Sequence, residues 1–194
     1  IRELSLLEAL VHLLGPRVGR PLSINSLRED LQVAFETVRS WIEVLSSFYY
    51  CFRISPWSRR VARGLRKETK LYLWDWADLE SDAARFENLV AVHLLKAVRG
   101  WTEVGQARLD LHYVRDKEKR EVDFVLSERG RPRLLVECKL ADEAISPHLL
   151  RFQQQLDVAC AVQLVRTPGI ARRSTIGGRT QWVISASTWL AKLP

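Results

Sequence analysis

The sequence predicts an α/β protein in which helices flank a mixed central sheet and a small, mainly helical region precedes that sheet. Three observations lead to this class. The first 46 residues place apolar side chains at helical spacing. The middle of the chain changes to short apolar strands separated by charged turns. Beyond residue 145, further strands alternate with helix-start signals, as expected where helices pack on a sheet.

Residues 1–57 have the element order of a small winged helix-turn-helix domain. The second helix begins with a capping residue, either Ser23 or Asn25. In this plan the third helix is the recognition element. The first helix is predicted over residues 3–14, the second from its capping residue to about residue 31, and the third over 35–46. A strand is predicted over 48–54.

Residues 70–194 are predicted to form the second domain, and residues 58–69 a basic linker to it. Its first helix is capped by Ser81 or Asp82. Ser146-Pro147 opens another helix, with Ser as the cap and Pro in the first turn. The helix that begins at residue 81 or 82 is predicted to end at about residue 98, the one that begins at Ser146-Pro147 at about residue 156, and a last helix covers 188–192. Strands are predicted at 70–74, 109–114, 121–126, 133–140, 159–165 and 181–184.

Positive charge is concentrated in two stretches of a chain whose formal net charge is +7. Such a concentration favours a polyanionic partner, nucleic acid above all, and we expect DNA. Two solvated loops would give the same pattern, so charge alone leaves both interpretations open. The residues concerned are Arg59, Arg60, Arg63 and Arg66 in the linker, and Arg172 and Arg173 in a loop expected over 172–179.

Composition argues against several classes of protein. No apolar stretch approaches the roughly 18 residues that a membrane span needs, and no secretory pattern opens the chain. Three widely spaced cysteines fit the reduced thiols of a cytoplasmic protein better than a disulfide framework or a zinc site. The chain starts at Ile1 and contains no Met, so we expect it to be part of a longer protein.

Three ionisable side chains lie on two consecutive apolar strands. Because side chains alternate along a strand, Glu137 and Lys139 share one face, and Asp123 lies on a face of the preceding strand. Opposite residues of paired strands are about 5 Å apart, so the three can converge. Cys138 is expected to point away from the acids into the core. Burying such charges is costly unless they meet each other or a cation.

This constellation suits metal-assisted hydrolysis of a phosphodiester. Asp123 and Glu137 offer the oxygen ligands that Mg²⁺ (or Mn²⁺) prefers, and Lys139 can orient water or stabilise charge on the phosphate. Glu87 opens an apolar helical stripe, and its carboxylate either caps the helix or leans towards the metal. An ion pair between Glu137 and Lys139, with Asp123 hydrogen-bonded nearby, is the purely structural alternative.

The same residues resemble the motif of the PD-(D/E)XK nuclease superfamily. Asp123 is followed by Glu137-x-Lys139 on the next strand, with Glu87 on the preceding helix. The resemblance implies a restriction-endonuclease-like fold in which Asp123, Glu137 and Glu87 bind Mg²⁺ and Lys139 acts in cleavage. The proline of the family's name is absent, since Val122 precedes Asp123.

The resemblance also implies contacts and partners. Related nucleases often direct a polar side chain of the following helix towards the substrate, which implies Gln153 as a nucleic-acid contact. The whole chain resembles more closely the C-terminal half of certain prokaryotic AAA-type ATPases, where a winged helix precedes a nuclease-like domain of unknown function. The blocks that carry this likeness are 70–75 (KLYLWD), 85–88 (RFEN), 121–124 (EVDF) and 136–139 (VECK).

An upstream ATPase domain is therefore the expected partner within a longer chain. ATP would be bound only there, because no G-x-x-x-x-G-K-[ST] motif occurs in this sequence. Two hypotheses remain for the chain itself: a Mg²⁺-dependent nuclease, or a catalytically silent fold that binds nucleic acid or regulates the ATPase. The sequence does not indicate an oligomeric state.

Overall fold

The computed structural model describes residues 2–58, 68–141 and 144–194, with the backbone alone for Arg2. It confirms the predicted α/β class: N-terminal helices and a short hairpin lead into a mixed sheet with helices packed on it. The elements in chain order are α1 (Arg2–Leu14), a 3₁₀ turn (Gly15–Arg17), α2 (Ile24–Leu31), α3 (Phe35–Ser47), β1 (Cys51–Pro56), β2 (Lys70–Leu73), α4 (Asp82–Glu103), β3 (Leu109–Arg115), β4 (Glu121–Glu128), β5 (Arg131–Lys139), α5 (Pro147–Gln155), β6 (Cys160–Val165), β7 (Ala171–Ile176), β8 (Arg179–Ser185) and α6 (Ala186–Leu190).

Within the described residues, eight strands form one sheet in the order β2-β1-β3-β4-β5-β6-β8-β7. Strands β3, β4 and β5 form an antiparallel meander, as their charged turns predicted. Helix α5 then crosses over so that β6 runs parallel to β5, which is the usual connection between parallel neighbours. At the other side, β1 meets β3 through two residue pairs, Ser55 with His112 and Pro56 with Tyr113.

The N-terminal helices end in an antiparallel hairpin of β1 and β2. The predicted basic linker, residues 58–69, therefore connects two strands that pair with each other. The four linker arginines (Arg59, Arg60, Arg63 and Arg66) lie outside the described residues. Ser23 rather than Asn25 caps α2, since its hydroxyl accepts a hydrogen bond from the Ser26 backbone N–H.

Helix α4 begins where its capping signal predicted and ends later than expected. The hydroxyl of Ser81 accepts from the Ala84 backbone N–H, so Ser81 and not Asp82 is the cap. The helix passes through Gly100, where a glycine costs about 1 kcal/mol without ending the helix. Within the described ranges, neither this helix nor any other is long and apolar enough to cross a bilayer.

The segment 172–179, expected as a basic loop, is mostly a strand. Arg172 and Arg173 lie on β7, which pairs antiparallel with β8 at the edge of the sheet. Gly177 and Gly178 form the connection, both with positive φ, which suits a two-residue hairpin turn. The strand escaped prediction because its sequence, ARRSTI, is polar and almost entirely exposed.

Two hydrophobic clusters cover the two faces of the sheet. The larger is continuous from the N-terminal helices, through Leu10 and Ile42, to Leu94 of α4 and Phe124 of β4. The smaller lies under α5. Its members are Val114, Val122, Val125, Leu135, Leu149, Phe152, Val158 and Ala161. The helices α1–α3 and the sheet therefore share one core.

Replacement of Asn88 by alanine should destabilise the fold. Asn88 is fully buried, and its side-chain amide bonds both the N–H of Leu73 (2.8 Å) and its C=O (2.7 Å), which ties α4 to β2. Asn88→Ala leaves both backbone groups buried without a partner, so the free energy of unfolding should fall by about 2–4 kcal/mol in urea titrations.

The matched control is Asn25→Ala on the exposed surface of α2. It should change the free energy of unfolding by less than about 0.5 kcal/mol. A loss in Asn88→Ala no larger than that of the control would contradict the role given to Asn88.

Candidate functional site

A cavity of about 200 Å³ lies between the first turns of α4 and the ends of β4 and β5. The β4–β5 ladder ends at the pair Phe124–Val136, so the residues beyond it are free to turn their side chains towards α4. The three residues predicted from strand alternation are brought together here with Glu87. The cavity is lined by Ala83, Phe86, Glu87, Asp123, Glu137, Cys138, Lys139 and Leu140.

Asp123 is fixed by the backbone of the neighbouring strand. Its Oδ2 accepts a hydrogen bond of 2.8 Å from the backbone N–H of Cys138, the residue after Glu137. This bond takes the place of a ladder bond between the two strands and holds the Asp123 carboxylate beside Glu137. Cys138, expected to point away from the acids, packs against the larger core cluster and also lines the cavity.

Glu137 has a buried carboxylate, and only one of its two oxygens has a partner among the described residues. The residue is 6% exposed; Oε1 lies 3.1 Å from the ammonium of Lys139, as their shared strand face predicted. Within the described residues, Oε2 is buried and has no hydrogen-bond partner. Burial, and then the nearby charge of Asp123, raise the pKa of Glu137 to about 8, while Lys139 acts in the opposite direction.

Glu87 does not cap its helix, because Ser81 does. Its Oε1 accepts hydrogen bonds from the hydroxyl of Tyr72 (2.8 Å) and from the ammonium of Lys70 (3.2 Å). Burial and the charge of Asp123 raise the pKa of Glu87, and these two donors oppose the rise. Of the two alternatives left open by the sequence, capping of the helix is excluded because Ser81 is the cap, and the side chain of Glu87 lines the cavity.

Lys70 is the most deeply buried charged member of the site, and sequence reasoning missed it. Its side chain is 1% exposed, and its ammonium lies 2.5 Å from Glu121, 3.2 Å from Glu87 and 3.9 Å from Asp123. Burial alone would lower the pKa of Lys70, but the three carboxylates outweigh it, and the net effect is a raised pKa. A lysine opening an otherwise apolar strand was the available signal, since buried lysines are rare unless paired.

The N-terminal region closes the site from the other side. Gly19 has φ +73°, and its backbone N–H donates to the C=O of Leu71 on β2. A Cβ atom at Gly19 would lie 3.1 Å from Oε1 of Glu87. The chain therefore needs glycine here for its backbone conformation and for its closeness to the carboxylate.

Gln153 lies away from the cavity. It is 1% exposed, and its amide donates to the C=O of Thr180 (2.9 Å) while its Oε1 accepts from Gln181 (2.7 Å). These bonds tie α5 to β8. The side chain is thus occupied inside the fold, which contradicts the expected contact of Gln153 with nucleic acid.

Arg172 and Arg173 are exposed but do not form one patch. As neighbours on β7 they point to opposite faces of the sheet. Arg173 lies over the ring of Trp182, 5.9 Å from its centroid. Strand β7 is three strands from β5, about 14 Å at the usual strand spacing.

The cavity offers two carboxylates, those of Asp123 and Glu137, as oxygen donors for a cation. In the described part of the chain, no three His, Cys, Asp or Glu side chains form a group able to hold a metal ion. Mg²⁺, however, is commonly bound by one or two carboxylates, with water and phosphate completing its shell. Asp123 and Glu137 meet that requirement, and the unpartnered Oε2 of Glu137 is an oxygen that a cation would satisfy.

The fold and the site define an α/β protein in which a cluster of acidic and lysine side chains lies between the mixed sheet and the first turns of α4. Residues 83–189 match the family model described as a domain of unknown function (DUF4143), and because this is more than half of the chain, the chain belongs to that family. Residues 1–79 match a second model, also described as a domain of unknown function (DUF8612). A search of curated proteins gave no match.

The raised pKa of Glu137 predicts a pH-dependent effect on stability. The folded protein holds this proton up to about pH 8, whereas an unfolded glutamate loses it near its ordinary value of 4.5. Between these values the folded state binds more protons, so rising pH removes stability. In the presence of a chelator, the stability of wild type relative to Glu137→Gln should fall by more than about 1 kcal/mol between roughly pH 5 and pH 8.

Thermal or urea unfolding across the pH range measures this difference. Glu103→Gln, on the exposed end of α4, is the control and should leave the pH profile of wild type unchanged. A constant difference between wild type and Glu137→Gln would show that Glu137 is charged throughout.

Proposed function

We propose that this chain is a metal-dependent phosphodiesterase that acts on nucleic acid. The observation that carries the proposal is the buried carboxylate of Glu137, whose Oε2 lacks a partner within the described residues. Glu137 lines a cavity together with Asp123 and Lys139. A phosphodiester brings the negative charge and the oxygen atoms that such a cation site needs.

Each residue has a distinct part in the proposed reaction. Asp123 and Glu137 would hold Mg²⁺ or Mn²⁺, which when bound supplies Lewis-acid polarisation of a phosphoryl oxygen. Lys139 stabilises the negative charge that grows on the phosphate. Water gives its oxygen to phosphorus and a proton to the departing ester oxygen. The products are a phosphate monoester and an alcohol.

The proposal extends to the finer architecture. We infer that the meander β3–β5, with α4, α5 and β6, is a restriction-endonuclease-like core, and that α1–α3 with the β1–β2 hairpin form a winged helix-turn-helix. We also infer that the chain works in a longer protein with an upstream AAA-type ATPase domain, where ATP is bound. The meander order and the helix-then-hairpin order support the first two inferences, and the resemblance of the sequence supports the third.

DNA is the proposed partner because of the net charge of +7. The arginines of the β1–β2 connection, which lie outside the described residues, and those of β7 are the proposed phosphate contacts. DNA that reaches the cavity can also contact one face of β7. The distance of about 14 Å between β5 and β7 corresponds to only a few nucleotides.

A second function, binding without cleavage, is favoured by one observation. Lys70 and Tyr72 already satisfy Glu87, so the third carboxylate of the cavity is not available as a simple ligand. A site that holds its acids in internal ion pairs can retain a nuclease-like shape without hydrolysis. Cleavage assays decide between the two functions.

Glu137→Ala and Lys139→Ala should abolish metal-dependent cleavage while the fold is kept. Loss of Glu137 removes a proposed metal ligand, and loss of Lys139 should lower the rate by at least about 10²-fold, since it removes charge stabilisation at the phosphate. Release of labelled fragments from single- and double-stranded DNA and RNA, with Mg²⁺, Mn²⁺ or chelator, measures the rates.

Lys96→Ala and Glu103→Ala, both on exposed positions of α4, remove the same charges outside the cavity and should cleave at the wild-type rate. Cleavage retained in Glu137→Ala or Lys139→Ala would refute the assignment. A wild-type chain that binds DNA and never cuts it would favour the second function.

Binding of DNA should weaken steeply with salt. About six phosphate contacts would reduce the affinity by roughly 10³-fold between low and moderate salt. Because Arg172 and Arg173 point to opposite faces, only one of the single alanine variants should reduce the salt slope, by about 1. Fluorescence anisotropy over a salt series measures both, and an affinity independent of salt would contradict the proposed electrostatic surface.

A further inference from the structure

Lys70 places a permanent positive charge inside the acid cluster. Its ammonium is surrounded by oxygens of Glu87, Glu121 and Asp123, all within 3.9 Å. Three carboxylates around one point would repel each other without a cation, and Lys70 supplies it. Oxygen atoms converging in this way are also what a hard divalent ion would require.

Asp123 separates this point from the other half of the site. One oxygen of Asp123 is directed at Lys70, and the other accepts from the Cys138 backbone beside Glu137. In sites with two metal ions, a shared carboxylate commonly lies between cations about 4 Å apart. An ion held by Asp123 and Glu137 would therefore place Asp123 between two cations, the second of which is the ammonium of Lys70.

The ammonium cannot leave that position easily. Lys70 lies opposite Ile54 in the β1–β2 ladder, and on its other side it forms a bridge with Pro21. Its side chain is 1% exposed, so no solvent route lies open to it. An ion competing for this position would have to displace a strand that is bonded on both sides.

Resting on the proposed function, we propose that Lys70 occupies the second cation position of the site, so that the chain binds one divalent ion, on Asp123 and Glu137, rather than two. Glu87 and Glu121 then serve as counterions of Lys70 and not as metal ligands. This assignment differs from the one that the motif resemblance implies for Glu87.

The ion count tests the proposal without nucleic acid. Mn²⁺ titrated into the full chain, with free Mn²⁺ read by electron paramagnetic resonance, should give one ion per wild-type chain. Lys70→Ala removes the internal cation and should bind two ions, whereas the control Lys96→Ala should bind one. Lys70→Ala should also melt at a lower temperature than wild type in chelator and recover when Mn²⁺ is added.

A second pair of variants keeps the test decisive if Lys70→Ala does not fold. Glu87→Gln should still bind one ion, and Asp123→Asn should weaken that binding by at least about tenfold. Two ions on the wild-type chain, with one lost in Glu87→Gln, would overturn the Lys70 assignment and leave the phosphodiesterase standing. Two ions on the wild-type chain would by themselves overturn the Lys70 assignment. A single ion on Lys70→Ala would also overturn it, and both results would leave the phosphodiesterase standing. No Mn²⁺ on any variant would overturn both proposals.

Discussion

The ion pairs of Lys70 with Glu87, Glu121 and Asp123 are the interaction on which the rest of the site depends. Bringing carboxylates together inside a protein is strongly unfavourable unless a positive charge accompanies them. Lys70 provides that charge from β2, a strand outside the meander that carries Asp123 and Glu137. The remaining acid, Glu137, is paired with Lys139 and not with Lys70, and burial first and the charge of Asp123 second raise its pKa.

The site is built from both stretches of chain that match family models. The acids Glu87, Asp123 and Glu137 lie within residues 83–189, whereas Lys70, Tyr72 and Gly19 lie within residues 1–79. The continuous core between the N-terminal helices and the sheet holds the two sets together. The stretch 1–79 thus contributes two side chains of β2 to the acid cluster and packs against the core of the sheet.

Local patterns in the sequence predicted much of this and could not predict the remainder. Capping residues placed the starts of α2, α4 and α5, and strand alternation placed Glu137 and Lys139 on one face, because both signals act over a few residues. Lys70 was missed because its neighbours are set by which strands lie side by side and by a helix far along the chain. Strand β7 was missed because an exposed edge strand carries no apolar pattern.

The short pairing between β1 and β3 has a consequence for local opening of the structure. Among the described residues, the ladder between β1 and β3 has two pairs, Ser55–His112 and Pro56–Tyr113, whereas β5 and β6 share six pairs. Short ladders open at lower free energy than long ones. If this seam parts, the hairpin carries the ammonium of Lys70 away, water enters, and the acids are left to repel each other. The cluster of acids would then loosen before the fold itself melts.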